Sequence, residues 1–274
     1  MSVFESILYG IVSGIAEFLP VSTQGHQAVL LRLFGQSFRD PLRDVMVHIA
    51  LLAALLFGCR NFLLRIQREQ VIISRSRRRH TYEFNSVYDL RFIKTAAIPF
   101  AVGLIAYFRM QRFEQEPLFL VVFFIVNGLA LMIPEYIRKG NKTGRLMTGL
   151  DGILFGIFSA FSCFPGISRI GCGMGYASVR GADRTHALNW ALLLSIPALV
   201  LWIVFDIIQL FSFGIAGITF LSVLCYIFSG IFAFIGGFAS ISLIRFIAEK
   251  SSFLGFSYYS FGIAMFTFVL YLIA

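Results

Sequence analysis

The chain of 274 residues is strongly apolar: 58% of its residues are hydrophobic, 14% are charged, and its mean hydropathy is +0.82. Soluble domains are roughly 45–50% apolar, so this composition excludes a soluble domain and predicts an all-α integral membrane protein. The net charge of +9 is concentrated in Arg65–Lys94, between two apolar segments. Such a segment is typical of a cytoplasmic loop, so we expect the lipid bilayer, and no nucleic acid, as a partner.

The N-terminal segment has no Lys or Arg before Arg32. A secretory signal peptide has a basic n-region, so we expect the first apolar stretch to belong to the fold. That stretch ends in Glu17–His26, EFLPVSTQGH, where a carboxylate, a proline, two hydroxyls, an amide and an imidazole follow one another. Ionisable side chains are costly at membrane depth and usually functional, so this segment is the first candidate for a site.

Six later segments are each about long enough to cross the hydrocarbon core at about 1.5 Å per residue. They are Val45–Phe62, Phe92–Phe108, Pro117–Ile137, Ala187–Phe205, Thr219–Ile244 and Phe253–Ile273. The positive-inside rule sets the orientation of the loops. It predicts that Arg65–Lys94, Arg138–Arg145 and Arg245–Lys250 are cytoplasmic, and that Arg109–Glu116, Asp206–Ile218 and both termini lie outside.

Two further stretches resemble each other. GIVSGIAEFLPVSTQGH begins at Gly10 and GIFSAFSCFPGISRIGC at Gly156, an offset of 146 residues, and Ser22 matches Ser168. Each copy precedes three spans, and because three is odd, the second copy enters the membrane from the opposite side, as in the inverted repeats of many transporters. We predict a single membrane domain over 1–274, with a first repeat at 1–140 and a second at 148–274.

Each copy has a break containing Pro and Gly, with polar side chains at the break. Non-helical backbone at membrane depth is tolerated only where it is buried in protein or lines a watery cavity. The fold prediction is therefore about six transmembrane helices plus two re-entrant helical hairpins, which meet in a polar pocket.

The side chains of this predicted pocket suit an anionic phosphate group. Arg169 can bind two oxygens at once, and hydroxyls and helix N-terminal amides add donors. A carboxylate beside that anion indicates a divalent cation, Mg²⁺ or Ca²⁺, with Glu17 as its ligand. His26 is suited to act as nucleophile, base or acid. The candidate catalytic residues are Glu17, His26 and Arg169, and the candidate substrate-binding residues are Ser22, Thr23, Gln24, Gly166, Ser168 and Gly171.

Structural roles compete with these functional ones. Glu17 and Arg169 are also suited to a simple ion pair that holds two hairpins together. His26 is also suited to a buried structural role, and His48 to the core or to the lining of a cavity. The hydroxyls are also suited to forming hydrogen bonds with backbone groups that lose their helical partners at the breaks. The occurrence of polar residues at both breaks favours the functional interpretation.

The two motifs resemble those of bacterial undecaprenyl-pyrophosphate phosphatases. EFLPVSTQGH is similar to that family's EFLPxSSxGH segment and PGISRIG to its PGxSRSG segment, and the likeness extends over nearly the whole chain. The resemblance implies that Glu17, His26 and Arg169 are active-site residues, assisted by Ser22, Thr23 and Ser168. It also implies hydrolysis of a polyprenyl diphosphate to the monophosphate carrier lipid for peptidoglycan synthesis, with a divalent cation. The expected location is the bacterial inner membrane, with the site facing outward, and bacitracin resistance and a homodimer are further expectations.

The chain departs from that family's pattern at several pocket positions. Ser13 replaces an acidic or amide residue, Ser159 replaces its Gln counterpart in the second repeat, and Ile170 replaces a hydroxyl. Gln24 also replaces a small hydroxyl, and His48 replaces a Gln. These changes leave a second function open: a non-hydrolytic polyprenyl-phosphate transporter or flippase with the same inverted repeat.

Overall fold

The computed structural model describes residues 1–36, 39–75, 85–106, 110–137, 140–213, 219–250 and 252–273, and the described chain is all-α. Its α-helices are α1 (Val3–Phe18), α2 (Thr23–Leu33), α3 (Pro41–Gly58), α4 (Arg60–Arg75), α5 (Asn85–Ile105), α6 (Pro117–Tyr136), α7 (Gly149–Ala160), α8 (Arg169–Val179), α9 (Arg184–Phe213), α10 (Phe220–Lys250) and α11 (Leu254–Ile273). Short 3₁₀ turns lie at Gln111–Glu114 and Phe161–Cys163. The prediction of an all-α integral membrane protein is confirmed.

Five of the described helices are long and apolar enough to cross a membrane, namely α3, α6, α9, α10 and α11. The predicted span Phe92–Phe108 lies on α5 as far as the described chain extends. That helix also contains Asp89, Arg91 and Lys94 in its first turns, which lowers its apolar character. The chain is therefore a multi-pass membrane protein, and the helix that contains the predicted span Phe92–Phe108 is more polar than the other five.

Two predicted loops are partly helical. The basic segment Arg65–Lys94 was predicted as a loop, but its two ends belong to α4 and α5. Its middle, which includes the three arginines at 77–79, lies outside the described residues. The segment Asp206–Ile218 was predicted as an external loop, but α9 continues to Phe213, and the side chain of Asp206 is buried in the protein. Apolar residues on both sides of Asp206 extend the helix past the predicted end.

The two predicted hairpins are present as α1–α2 and α7–α8. Helices α1 and α7 begin 146 residues apart, which is the same offset as that between the motifs. Helices α2 and α8 both begin and end with this offset. The first helices also begin alike, because Ser2 with Glu5 and Thr148 with Asp151 form capping boxes that satisfy the first free amides. The repeated sequence thus folds into a repeated local structure.

The helix packing is also related between the two halves. Helix α1 packs on α10, and its counterpart α7 packs on α5. In the same way, α3 packs on α10 and its counterpart α9 packs on α5. Two further contacts join counterparts directly: α3 with α9, and α6 with α11. Exchanging the halves leaves this set of contacts unchanged, as an internal two-fold relation requires. The inverted direction of the second half relative to a membrane stays a prediction.

Small residues allow the hairpins to pack closely against the spans. A Cβ added at Gly10 would overlap the backbone oxygen of Ser229 on α10, and one added at Gly156 would overlap the backbone oxygen of Ala96 on α5. In lipid, close packing and polar contacts rather than hydrophobic burial hold helices together, so these glycines set the depth at which each hairpin sits. Both hairpins are thereby held with their turns in the protein interior.

Candidate active site

The turns of the two hairpins meet through a backbone contact. Helix α1 ends at Phe18, and Ser22 forms the N-cap of α2 with a positive φ of 69°. The hydroxyl of Ser22 accepts a hydrogen bond from Gly166 N at 3.0 Å, in the turn of the second hairpin, and a longer one from Gly25 N at 3.4 Å. A serine at positive φ is strained, so this arrangement is maintained by the contacts around it.

A buried amide on α6 joins the same two turns. Asn127 Oδ1 accepts a hydrogen bond from Ser168 N at 2.8 Å, and Asn127 Nδ2 donates to the Pro20 carbonyl oxygen at 3.1 Å and to Ser260 Oγ at 3.0 Å. Asn127 was not among the predicted residues. The signal in the sequence was a lone amide inside an otherwise apolar span, where a polar side chain needs a partner.

Glu17 and Arg169 form a buried ion pair between the hairpins. Arg169 Nη2 donates to Glu17 Oε1 at 2.6 Å and to Ser195 Oγ on α9 at 3.0 Å, and Thr23 Oγ1 donates to Glu17 Oε2 at 2.7 Å. Arg169 Nε is enclosed and has no hydrogen-bond partner. A buried guanidinium N–H without an acceptor is costly, so this atom is a ready donor for an anionic oxygen.

A polar pocket lies beside this ion pair. Its lining includes predicted residues from both hairpins, namely Glu17, Ser22, Thr23, Gln24, Ser168 and Arg169. It also includes residues that were not predicted as site residues: Ala16, Gln27, His48, Ser162, Ile167 and Trp202. The N-terminal ends of α2 and α8 both open on this pocket, so two helix dipoles and their first amides favour negative charge there.

The pocket is small and partly open. Its volume is about 30 Å³, which is room for about two water molecules at about 10–15 Å³ each. A phosphate group is larger than this space. We therefore expect side chains around the pocket to shift when a phosphate binds.

His26 is not among the residues that line this pocket, so the structure does not place its side chain with those of Glu17 and Arg169, and its catalytic role stays a prediction. Its Nδ1 is 2.7 Å from the Ser22 carbonyl oxygen, so Nδ1 must be the donor, and Nε2, 2.8 Å from Tyr259 Oη, accepts from that hydroxyl. The ring stacks on Tyr259 and meets Phe124 edge to face. One turn into α2, the helix directs this side chain toward α6 and α11 rather than toward the pocket.

His26 instead lines a second, mainly apolar cavity of about 630 Å³. The apolar lining comes from the outer face of α1 and from the beginning of α11, and includes Val12, Ile15, Leu19 and Phe256. The Ser22 turn separates this cavity from the polar pocket. A polar compartment and a large apolar compartment thus lie on the two sides of one backbone turn.

The two predicted glycines support the turns. Gly166 adopts a φ of 108°, which favours glycine, and its N–H already donates to Ser22 Oγ. Gly171 N donates to Ser168 Oγ at 3.2 Å, as in an N-cap. Both N–H groups are engaged within the protein, and neither glycine lines the polar pocket.

The donor set does not form a complete cation site from protein groups alone. Among the residues that the structure describes, no group of three or more His, Cys, Asp or Glu side chains is placed to hold a metal ion. Both oxygens of Glu17 are engaged, one by Arg169 and one by Thr23. A hard divalent cation takes six or more oxygen ligands, so a single engaged carboxylate does not meet its requirement.

The sequence suggested that His48 lies either in the core or in the lining of a cavity. In the structure it lines the polar pocket. Its Nδ1 lies 2.6 Å from Asp206 Oδ2 on α9, and its ring stacks over Trp202 with centroids 6.2 Å apart. Asp206 was assigned to a loop from the sequence, so this pairing of α3 with α9 was not predicted.

The fold and the site together define a class: a multi-pass, all-α membrane protein with a buried polar pocket between two helical hairpins. Comparison with known proteins then identifies the family. The family model described as bacitracin resistance protein BacA matches residues 6–266, and the chain belongs to this family.

Curated relatives cover nearly the full chain. Undecaprenyl-diphosphatase 1 of Shouchella clausii is 28% identical over 272 residues, which cover 98% of this chain and 96% of that protein. The undecaprenyl-diphosphatase of Treponema denticola is 30% identical over 261 residues, with 94% of each chain covered. That of Alkaliphilus metalliredigens is 30% identical over 272 residues, with 95% of each covered.

Proposed function

We propose that the chain is an undecaprenyl-diphosphatase, a membrane phosphatase that hydrolyses undecaprenyl diphosphate to undecaprenyl phosphate and inorganic phosphate. This reaction returns the carrier lipid to cell-wall synthesis. The observation that carries the proposal is the pocket in which Arg169 and the N-termini of α2 and α8 converge, in a chain whose full-length relatives bear this name.

Arg169 binds the diphosphate in this proposal. Its Nε is an enclosed donor without an acceptor, and its Nη2 is held by Glu17 and Ser195. Charge-assisted bonds from a guanidinium to phosphate are stronger than neutral ones and can be bidentate. The hydroxyls of Ser22, Thr23 and Ser168 and the amide of Gln24 add neutral donors around the same anion.

Glu17 orients Arg169 and is displaced in part when substrate enters. The pocket has room for about two waters, so the diphosphate must take the place of the carboxylate at one guanidinium edge. Exchange of one anionic partner for another keeps the arginine charge neutralised throughout. Binding therefore keeps the buried arginine paired, and the displaced carboxylate of Glu17 becomes available to a cation that enters with the substrate.

A divalent cation, Mg²⁺ or Ca²⁺, enters with the substrate in this proposal. Since Glu17 is the single carboxylate with which the described pocket could hold it, the ion depends on phosphate oxygens of the diphosphate for most of its ligands. Chelation of the purified protein tests this part. If chelator leaves phosphate release unchanged, the cation is not required and Glu17 acts through Arg169 alone.

The apolar cavity is proposed to take the first isoprenoid units of the lipid. It is larger than the polar pocket, is lined mainly by apolar side chains, and adjoins the Ser22 turn. His26 supports that turn through its hydrogen bond to the Ser22 carbonyl oxygen. In this proposal His26 is a positioning residue, and the diphosphate reaches past the turn into the pocket.

The pocket is proposed to face the outside of the bacterial inner membrane. Trp202, which lines it, lies nearer to Ser212 than to Arg184 along α9, and the positive-inside rule assigns the Ser212 end to the outside. In a background without native cysteines, Ser212→Cys should react with an impermeant thiol reagent in intact cells and Asn141→Cys should not. Both side chains are exposed. Ser212 lies at the end of α9, and Asn141 lies in the loop beside its start, where the backbone of Lys142 bonds to Gly181 and Asp183. The reverse labelling pattern would overturn the orientation.

The remaining partner predictions concern macromolecules. The proposal includes no nucleic-acid partner, because the basic residues are interpreted as orientation signals. A homodimer stays a prediction, which native mass spectrometry of the detergent-solubilised protein would test.

Phosphate release by the purified protein is the experiment that tests the proposed function. Undecaprenyl diphosphate in detergent should yield one inorganic phosphate and one undecaprenyl phosphate for each lipid consumed. Reconstituted vesicles that move undecaprenyl phosphate between leaflets, with no phosphate release from the diphosphate by the same folded protein, would instead indicate the non-hydrolytic transporter.

A further inference from the structure

The strongest feature outside the predicted site is the pairing of His48 with Asp206. The two side chains come from different helices, α3 and α9, and their closest atoms, Nδ1 and Oδ2, are 2.6 Å apart. They are 6% and 5% exposed, so the pair is almost fully removed from surrounding solvent and lipid. A short bond from an imidazole to a buried carboxylate fixes both the position and the rotation of the ring.

This pairing determines which ring nitrogen faces the pocket. A carboxylate accepts from Nδ1–H, so in the neutral ring Nε2 is the nitrogen with a free lone pair. In the part of the chain that the structure describes, no protein atom hydrogen-bonds Nε2. His48 lines the polar pocket together with Glu17 and Arg169. The pocket therefore has an oriented imidazole on its wall, and in the neutral ring Nε2 is the nitrogen that can accept a proton.

The charges around His48 come from four helices. Asp206 on α9, Asp44 on its own helix and Glu17 on α1 are negative, and Arg169 on α8 is the positive group of the same pocket. Helix α10 packs beside this part of α3 through 230–237, which contain no ionisable side chain. Helix α4 contacts the far end of α3. The negative groups stabilise a proton on the ring, while Arg169 and a bound diphosphate lie on its pocket side.

We propose that His48, oriented by Asp206, is the general base of the hydrolysis. The proposal rests on the proposed function. Nε2 accepts a proton from the attacking water as the water oxygen bonds to the terminal phosphorus, and the bond from that phosphorus to the bridging oxygen breaks. The electron pair stays on the bridging oxygen, which leaves as part of undecaprenyl phosphate. The proton then leaves the pocket with the inorganic phosphate.

The space beside His48 fits this role. The pocket has room for about two water molecules before any side chain moves, so a water can remain on the wall opposite the bound phosphate. Trp202 stacks on the imidazole and lines the same pocket, which excludes further solvent from the ring. Of the histidines that the structure describes, His48 lines the polar pocket, whereas His26 lines the apolar cavity.

An amide can orient a water, but it does not accept a proton at neutral pH. His48→Gln is therefore a matched variant, since it keeps a polar side chain of similar length and removes only the titratable ring.

The experiment compares three single variants in the purified, detergent-solubilised protein. His48→Gln removes the base, Asp206→Asn weakens its orientation, and His26→Gln changes the other histidine near the site. We expect kcat of His48→Gln to fall about 100-fold with little change in KM, because general-base catalysis contributes about 10²–10⁴-fold. Asp206→Asn should lower kcat about 10-fold, as is typical when an orienting partner is lost.

The pH profile separates a catalytic from a structural role. The acid side of the kcat profile should become shallower in His48→Gln, because one group that must be unprotonated has been removed, and should keep its slope in His26→Gln. Unchanged kcat and slope in His48→Gln would overturn the proposal. If His48→Gln does not fold, an Asp206→Asn variant with the parent kcat would overturn it equally. Failure of the parent protein to release phosphate would instead reject the proposed function.

Discussion

The two hairpins share one backbone plan but present different chemistry to the pocket. Their second helices begin with a capping serine, Ser22 in the first and Ser168 in the second, and each is followed by a pocket-lining residue. The first hairpin contributes the carboxylate of Glu17, and the second the guanidinium of Arg169. The comparison teaches that similar backbone geometry carries different side chains in the two hairpins, and that the pocket needs groups from both.

The hairpins also differ in strain and in hydrogen bonding. Ser22 has a positive φ and accepts from Gly166 across the interface, whereas Ser168 has an extended backbone and caps its own helix. Ser13 accepts a bond from Gln27 Nε2 at 2.9 Å, whereas the hydroxyl of its counterpart, Ser159, is buried without a partner. The serine hydroxyls of the first hairpin therefore make more hydrogen bonds than those of the second at these matched positions.

Of the substitutions that remove a difference between the hairpins, Glu17→Gln should have the largest effect, because it removes their difference in charge. The amide keeps the size of the side chain, but it no longer neutralises Arg169 or fixes it in place. We expect kcat/KM for phosphate release to fall about 100-fold, since small misplacement of a binding group costs about that factor. The measurement is the initial rate of inorganic phosphate release.

Glu135→Gln is the matched control for this prediction. Glu135 also pairs with an arginine, Arg184, at 3.1 Å, but it lies at the end of α6 and not on the pocket. Its activity should stay within about twofold of the parent, as expected of a change away from the reacting groups. Full activity of Glu17→Gln would show that the Glu17–Arg169 pair only holds the two hairpins together and has no part in the reaction.

The second prediction compares the two capping serines by stability. Ser22→Ala leaves the buried Gly166 N–H without an acceptor and should cost about 2 kcal/mol, within the usual penalty for an unsatisfied buried group. Ser168→Ala removes an N-cap and should cost about 1 kcal/mol. Unfolding in mixed detergent micelles measures both values.

Ser22→Gly refines this comparison. Glycine adopts a positive φ without strain, so Ser22→Gly should be less destabilised than Ser22→Ala although both lose the hydroxyl. Equal losses at Ser22 and Ser168, with no advantage for glycine, would show that the cross-hairpin bond adds nothing to stability.

The smallest effect is expected at the matched pair of Ser13 and Ser159. Ser13→Ala removes the acceptor of a buried amide N–H and should cost about 1 kcal/mol. Ser159→Ala removes a hydroxyl that has no partner, so unfolding free energy should stay the same or rise slightly. The same unfolding titration tests both, and a larger loss at Ser159 than at Ser13 would contradict the assigned contacts.

The sequence predicted the repeated parts of the molecule well, for physical reasons. Motif spacing located both hairpins, because Pro and Gly break helices and serine caps them at fixed positions. Composition predicted the membrane class. The Glu17–Arg169 contact followed from charge, since two opposite ionisable groups at membrane depth have few other partners.

Contacts between distant helices were not predictable from one sequence. The direction of His26 depends on how α2 packs against α6 and α11, and the pairing of His48 with Asp206 depends on α3 crossing α9. Asn127 joins both turns only because α6 passes beside them. The end of α9 was misplaced because a buried charge within a helix resembles the start of a loop in hydropathy.

The most direct test of the account is phosphate release from undecaprenyl diphosphate by Arg169→Lys, with Arg180→Lys as control. Arg169 begins α8 in the pocket, whereas Arg180 follows the end of the same helix and binds Asp151 through Nε at 2.6 Å. Lysine keeps the charge but loses the planar fork. Arg169→Lys should lose about 100-fold or more in kcat/KM, in the range found when one stabilising donor is removed, while Arg180→Lys keeps the parent rate. A parent-like rate in Arg169→Lys would contradict the claim that the two hairpins form one diphosphate-binding site around this arginine.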